Sequence, residues 1–426
     1  LIVGSGNARE HATFARLQRE LGPNRVGFFL TGANGFLSRA RNVLEVNAGD
    51  SLQDALEYFN PATVLLLSPN ELLSNVAAEI GHMNVPCLAV SPEVAMLEDS
   101  KASAKEEMRR FGVPTPISHR IESIDEAITL IAERWVDDES EYVIKSDRML
   151  LNASHRVAIP SNKQDALSVL SRWERLVGPV NSQNPLVVEE KVYGEELSFH
   201  VLVDPTHHRV MPYVRDYKRL HDEDRGPNTH GMGAVASTSA SAWNKMRLVE
   251  EHVLSPTLAL LRSVDPGASL ILYIGVILTN SGPKVLEYNV RSGNPEWVAL
   301  LELLTSPLHD ILSALAAREL GLVSPEYRED ACSLVTMVNQ KGYPEVEHFS
   351  SKEISGIDRL PPDVGLFSDG TNGVSGGRKF ACSGRVFGIS THGENFTECR
   401  NRVYRALQQV GFHDMEYRTD IGLMND

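Results

Sequence analysis

Val285-Leu286-Glu287-Tyr288-Asn289-Val290-Arg291 is the stretch on which the fold turns. It follows a turn-forming run, Asn280-Ser281-Gly282-Pro283, and alternates apolar with polar residues, so it reads as a β-strand leaving a tight turn. The two-residue period of a strand puts Glu287, Asn289 and Arg291 on one face. Carboxylate and amide oxygens are the hard ligands that Mg²⁺ prefers, with phosphate and water oxygens completing its octahedron. A guanidinium two residues further on can pair bidentately with phosphate or carboxylate. Alone, the pattern describes a solvated strand face with an ion pair more often than a metal site. Its neighbours in the chain shift that balance.

Upstream, Val187-Val188-Glu189-Glu190-Lys191-Val192 reads as a strand running into Gly194-Glu195-Glu196. A strand edge followed by an acid can hydrogen-bond an adenine edge and then a ribose. Lys101 opens a charged helix, Lys101–Phe111, behind Asp99-Ser100, and Gly112-Val113-Pro114 stops it. Lys145 ends a short strand that starts at Tyr142. Either ammonium could pair with phosphate, although a single lysine is more often a surface charge.

The remaining pattern divides the chain into four expected units. Residues 1–98 alternate strand-like runs (Leu1–Val3, Val26–Leu30, Val64–Leu67, Cys87–Val90) with helical stretches such as Arg9–Leu21, which predicts a parallel sheet covered by helices. Residues 99–190 mix short strands with helices over Ile124–Trp135 and Lys163–Leu176, in α+β fashion. Residues 191–325 carry strand pairs over 197–214 and 269–290, separated by a helix from Ser241 to about Val264. Residues 326–426 are strand-rich from Ala331 and end in a helix, Asn395–Gln409, as a small closing domain would; the Gly/Ser-rich Ser368–Gly377 reads as a turn region.

Composition narrows the function classes. The chain has 426 residues, 42% hydrophobic and 23% charged, which is ordinary globular usage and enough to bury a core unaided. A net charge of −15 argues against a nucleic-acid binder, while leaving room for a locally basic pocket. The four cysteines, Cys87, Cys332, Cys382 and Cys399, show neither zinc nor disulfide spacing, and a reducing cytoplasm is expected. No run of about 18 apolar residues suggests a membrane span, and no leader-like segment precedes the first strand. Gly4-Ser5-Gly6 after that strand could suggest a dinucleotide fold, but the second strand ends Leu30-Thr31-Gly32 with no ribose-binding acid. The turn is left to a phosphate or to the fold itself.

In series, these motifs resemble the ATP-grasp ligases: the helix-start Lys101, the strand Lys145, the Glu189-Glu190-x-x-x-Gly194-Glu195-Glu196 hinge and the final Glu287-x-Asn289-x-Arg291. Within them the chain is similar, nearly end to end, to the glycinamide ribonucleotide synthetases (phosphoribosylamine–glycine ligases). The run Gly226-Pro227-Asn228-Thr229-His230-Gly231-Met232-Gly233-Ala234 is the most specific match. Arg9-Glu10-His11-Ala12, Asp216-Tyr217-Lys218-Arg219, Gly293-Asn294-Pro295-Glu296 and Ser383-Gly384-Arg385-Val386 add to it.

The resemblance implies an ATP-grasp fold behind an N-terminal parallel-sheet domain, with ATP and Mg²⁺ (or Mn²⁺) as cofactors. It implies that ATP phosphorylates a carboxylate and that an amine then attacks the acyl phosphate, with positioning and charge neutralisation left to the protein. Lys101, Lys145, Glu189, Val192 and Glu196 would contact ATP, and Glu287 and Asn289 the metal. Arg291, Lys218 and Arg219 would act at the reacting groups. Substrate contacts would come from Gly6, Arg9, His11, Asp216, Asn228 and Thr229, and from Gly231, Met232, Gly293, Glu296 and Arg385. His11, taken alone, is as readily a packed or capping histidine. The partners would be a small carboxylate and a small amine, with no nucleic acid or membrane, in a monomer or homodimer.

Two departures from the family pattern matter. After Lys145 the family reads Lys-Ala-Asp-Gly-Leu-Ala-Ala-Gly-Lys-Gly; here Lys145-Ser146-Asp147-Arg148-Met149-Leu150-Leu151-Asn152-Ala153-Ser154 keeps the length and loses every glycine and the second lysine. Such glycines let backbone N–H groups approach phosphate, and Arg148 or His155 would have to supply the charge instead. Taken alone, that loss also fits a non-catalytic scaffold, but Glu287, Asn289 and Arg291 are intact and favour an active ligase. The second departure is at the expected small-substrate pocket: Ser68-Pro69-Asn70, Asn7, Tyr217 and Asn294 replace family residues. These changes favour a paralogue joining a different carboxylate and amine over the family default of glycine and 5-phosphoribosylamine.

Overall fold

The computed structural model describes residues 1–30, 37, 43–45, 52–67, 80, 85–135, 141–148, 157–346, 348–369, 372–375 and 377–423. Its N-terminal part is a five-stranded parallel sheet in the order Val43–Glu45, Phe28–Leu30, Ile2–Gly4, Val64–Leu66, Cys87–Leu88. Ile2 pairs with Phe28 on one side and Leu65 on the other. The central strands are apolar without alternation because they are buried on both faces, as parallel sheets require. The edge strand at Val43–Glu45 is too short to show as periodicity in the sequence. Helix Ala8–Leu21 starts on a capping box: Asn7 accepts from the Glu10 N–H while the Glu10 carboxylate returns to the chain before it.

Residues 118–190 form a four-stranded antiparallel sheet, ordered Ser118–Ile121, Leu186–Glu190, Tyr142–Ser146, Val157–Ala158. Helices Ile124–Arg134 and Lys163–Val177 lay Ile131, Leu170 and Trp173 onto it. The larger sheet is antiparallel and runs Gly282–Asn289, Leu270–Thr279, Glu195–Val203, Val214–Asp216, Gly233–Ser237, Cys332–Gln340, Arg385–Gly393, Gly365–Ser368.

The strand-rich C-terminal region expected as a small closing domain is continuous with this order. Val335 pairs with Ala234 on one side and Ser390 on the other, so the C-terminal strands extend the sheet of the preceding lobe. All nine residues of Cys332–Gln340 are buried, and with hydrogen-bonded neighbours on both sides the strand is interior to the sheet. The helix expected over Ser241–Val264 is also interrupted: Ala240–Val249 and Ser255–Val264 flank a π-helical turn, Glu250–Leu254. Pro256 lacks the N–H that an unbroken α-helix would need there, so the helix widens just before it. Within the expected turn region, Asn372–Ser375 pairs with Arg378–Ala381 as a hairpin.

Trp297 joins the two sheets. It is fully buried in the largest core cluster with Phe14 and Leu312, and its Nε1 donates to Thr13 Oγ1 at 3.0 Å. Trp297→Ala is expected to cost about 3–5 kcal/mol and to lower the urea midpoint accordingly. An unchanged midpoint would mean that the two sheets unfold independently.

Candidate active site

Strand Gly282–Asn289 lies at the end of the large sheet, with Glu287 opposite Gly275 and Asn289 opposite Tyr273. A Cβ on Gly275 would come within 3.2 Å of Glu287 Cγ, so the glycine clears the space that the acid occupies. Burial opposes ionisation of Glu287, but Lys218, Lys101, Lys145 and Arg291 outweigh it and hold the carboxyl below its ordinary range. Asn289 Oδ1 accepts from Arg291 Nη2 at 3.2 Å. Arg291 is fixed in turn by Glu98, a residue that the strand pattern does not reveal. Glu98 Oε1 accepts from Arg291 Nε at 3.0 Å and Oε2 from the Val290 N–H at 2.9 Å.

Around this strand the expected nucleotide residues converge. Lys101, on helix Lys101–Arg110, shares a crevice with Glu287 and Asn289. Lys218 Nζ donates to Glu196 Oε1 at 2.5 Å and lies 3.9 Å from Glu287 Oε1. Burial would lower the Lys218 pKa, yet Glu196, Tyr273, Glu287 and Asp216 together raise it well above the ordinary range. Glu189 is placed differently from expectation: its carboxylate is buried between Lys145, at 2.6 Å, and Lys105, at 2.7 Å. Its side chain is therefore not free to meet an adenine, whereas Val192 lies just past the strand end, half-buried. Lys105 has a sequence signal only in retrospect, one helical turn after Lys101.

The rewritten loop is described through Arg148; residues 149–156 lie outside the described residues, as do 68–70. Asp147 Oδ1 accepts from the Ala102 N–H at 2.7 Å and from Ser100 Oγ at 3.0 Å, so a carboxylate already sits at the start of the Lys101 helix. Arg148 lies 3.8 Å from Asp99 rather than in the Lys101 crevice.

A second group of residues forms a floor beside strand Gly282–Asn289. Asp216 comes from strand Val214–Asp216, and its Oδ1 is buried with no hydrogen-bond partner among the described residues. Burial and then the Glu296 carboxylate push the Asp216 pKa well above its ordinary range. Glu296 is almost fully buried, with its carboxylate folded against Gly293, where a Cβ would come within 2.6 Å. Gly231 has φ +100°, and a Cβ there would strike Pro295 and approach Asp216. Its N–H bonds to Thr229 Oγ1 at 3.0 Å, and its carbonyl accepts from Arg385 Nη1 at 3.0 Å. Arg385 also reaches the His230 carbonyl and pairs with Asp369 Oδ2 at 2.5 Å. Asp369, unsignalled in the sequence, also accepts from the Ala8 N–H and Asn294 Nδ2, each at 2.9 Å. Arg9 donates to the Ser292 carbonyl, and burial followed by Arg291 lowers its pKa to about 9.

Other residues expected at the substrate or reacting groups make contacts within the fold. The Gly6 N–H is bonded to Glu10 Oε2 at 2.7 Å, so a carboxylate of the chain itself fills that turn. His11 Nδ1 accepts from the Ser368 N–H at 2.9 Å, and burial followed by Lys379 lowers its pKa to about 4. Met232 is a core residue whose sulfur contacts Asn339 Nδ2 at 2.9 Å. Arg219 and Asn228 face each other across a small hairpin, and Arg219 Nη1 donates to Gly226 O at 2.8 Å. Tyr217 points away from the floor: its ring lies against Arg215 and Arg418, and its hydroxyl accepts from the Gly422 N–H at 3.1 Å.

Residues 99–297 match the family model described as phosphoribosylglycinamide synthetase, ATP-grasp (A) domain, and residues 333–424 match that of the synthetase C domain. The chain belongs to the phosphoribosylglycinamide synthetase family. A phosphoribosylamine–glycine ligase of Caldanaerobacter subterraneus is 29% identical, covering 99% of this chain and 98% of the relative. One from Streptomyces coelicolor is 30% identical, with the same coverage. The crystal structure of a Thermotoga maritima phosphoribosylamine–glycine ligase superposes with a TM-score of 0.79 at 26% identity, over 98% of this chain and 99% of that one. The biotin carboxylase domain of Hydrogenobacter thermophilus 2-oxoglutarate carboxylase, in complex with MgADP, shares the fold at TM-score 0.67 and 14% identity, over 97% and 91%. This family member is an ADP-forming ATP-grasp carbon–nitrogen ligase that uses ATP and Mg²⁺. Among the described residues no helix is long and apolar enough to cross a membrane.

The donor set suits Mg²⁺. Among the described residues no cluster of three or more His, Cys, Asp or Glu could cage a metal, so one carboxylate and one amide would leave most of the octahedron to phosphate and water. Glu287→Gln is expected to lower Mg²⁺-dependent ADP release more than a hundredfold, an effect read from initial rates across a Mg²⁺ titration. Rates within threefold of the parent would mean that the metal lies elsewhere.

His200 yields a pH prediction. Its Nε2 accepts from the Gly293 N–H at 2.9 Å, and burial, then Arg291 and Arg9, lowers its pKa from 6.5 to about 3. The unfolded chain takes up this proton near pH 6.5 and the folded chain only near 3. Its contribution to stability is therefore complete above pH 6.5 and declines as the pH falls towards 3. His200→Gln, which keeps an acceptor but does not titrate, should flatten the fall in thermal midpoint between pH 7 and 5. An equally steep fall in the variant would assign the effect to other groups.

Proposed function

We propose that this ligase joins the carboxylate of glycine to the amine of 5-phosphoribosylamine. The observation that carries this reading is the acid floor. Asp216 and Glu296 bring buried carboxylates together, and among the described residues Asp216 Oδ1 has no donor; Gly231 and Gly293 lie against these two side chains, where a Cβ would collide. A buried acid oxygen without a donor, beside a second acid, suits the ammonium of a small amino acid, whose own carboxylate would then point towards Arg291 and strand Gly282–Asn289. The full-length likeness to relatives named phosphoribosylamine–glycine ligase supports the same substrates.

The case for a paralogue with other substrates weakens on inspection of the rewritten positions. Tyr217 packs on the far face of its strand, Asn294 bonds to Asp369, and Asn7 caps a helix. Each of these replacements answers to the fold rather than to a ligand.

In this reading Lys101 and Lys145 hold phosphates, Glu196 the ribose, and Glu287 with Asn289 the Mg²⁺. Held by Glu287 and Asn289, Mg²⁺ would supply neutralising charge to the phosphates during transfer to the glycine carboxylate. Arg291, oriented by Glu98, faces that carboxylate, and Lys218 balances the acids around it.

Purified chain given ATP, Mg²⁺, glycine and fresh 5-phosphoribosylamine should release one ADP per amide, at roughly 1 s⁻¹ or faster. Asp216→Asn should raise the KM for glycine at least tenfold and leave the KM for ATP within threefold. Turnover with another amino acid or amine, and none with this pair, would overturn the substrate assignment.

A further inference from the structure

Glu189 sits on strand Leu186–Glu190 with its side chain 2% exposed, and its two oxygens face two lysines of different character. Lys105 is equally inaccessible at 3% exposure. It is held from two further sides, donating to Thr115 Oγ1 at 2.6 Å and to the Val285 carbonyl at 3.1 Å. Lys145 is 12% exposed and stands at the end of strand Tyr142–Ser146, where the loop begins. Among the described residues Glu189 is its hydrogen-bond partner, at 2.6 Å.

Lys145 therefore has two claimants. The nucleotide phosphates attract it, and so does a buried carboxylate already in contact. Pulling a lysine from a buried acid that has no other counter-charge is strongly unfavourable, because it strands an ion in low dielectric. Here that situation does not arise. Lys105 stays against Glu189 whichever way Lys145 points, because its other two bonds fix it in place.

We propose that Lys105 is a positioning residue for nucleotide binding: by neutralising Glu189 permanently, it leaves Lys145 free to move onto phosphate. The proposal rests on the assignment of Lys145 as a phosphate ligand. It predicts an inversion that simple damage to the site would not produce. Removing Lys105 makes Glu189 a trap for Lys145, and removing the Glu189 charge as well springs that trap.

The test is calorimetric titration of ATP with Mg²⁺ into the parent, Lys105→Met, Glu189→Gln, Lys145→Met and the Lys105→Met/Glu189→Gln double variant, with thermal midpoints as folding controls. Lys105→Met is expected to weaken ATP binding at least tenfold, and Glu189→Gln less than threefold. The double variant should bind within threefold of Glu189→Gln. A Lys105→Met protein that binds as the parent does, or a double variant as weak as Lys105→Met, would overturn the proposal. Should Lys105→Met fail to fold, the double variant decides: binding tenfold weaker than Glu189→Gln overturns it. If Lys145→Met leaves ATP affinity unchanged, the assignment of Lys145 itself fails, and this inference with it. If Lys145→Met weakens binding while Lys105→Met does not, only this inference fails.

Discussion

The carboxylate of Asp369 gathers a main-chain N–H from Ala8, an amide from Asn294 and the guanidinium of Arg385. Those donors belong to the first helix, the turn after the metal strand and the C-terminal sheet. One buried anion thus fixes three parts of the chain, two of them 361 and 75 residues away from it. Its charge is tolerable there because Arg385 is equally buried, and the pair is satisfied on both sides. With its Nε held by Asp369, Arg385 turns Nη1 to the carbonyls of both His230 and Gly231. The loop beneath the substrate floor takes its shape from that contact.

The same logic recurs around the site. Glu98 faces Arg291, Glu189 faces two lysines, and Glu196 faces Lys218, each acid opposite a base on another element. Against that background the floor stands out. The Glu296 carboxylate opposes ionisation of Asp216, and Lys218 and Arg385, the cations that act on Asp216, are bonded to other acids. A binding site can be recognised by charge that the fold leaves uncompensated, since a purely structural arrangement would have paired it.

Local chemistry made much of this legible in the sequence. The period of two placed Glu287, Asn289 and Arg291, and the Asp99-Ser100-Lys101 start placed the helix that brings Lys101 beside them. What the sequence hid depends on partners remote in the chain. Glu98 matters because of a strand 192 residues later, and Asp369 because of a helix 361 residues earlier. Tyr217 looked like a pocket substitution because it lies between Asp216 and Lys218, yet consecutive residues of an extended chain point to opposite faces. The continuity of the large sheet was hidden for another reason. A strand buried on both faces has no alternation to show which neighbours it joins.

The segment carrying Asp216 and Lys218 continues into a hairpin whose acidic tip is tied down from far along the chain. Arg418 donates to the Arg219 carbonyl, 199 residues earlier, and to Asp224, while Thr419 and Gly422 bond to Asp222 and Tyr217. During synthesis on the ribosome, the hairpin emerges roughly 10–40 s before its tether, at ordinary elongation rates. In that interval the five-stranded N-terminal sheet and the four-stranded sheet have all their strands, but the hairpin after Lys218 lacks its anchor. A nascent chain therefore has strand Gly282–Asn289 and its neighbours well before it has the tether that fixes the hairpin after Lys218.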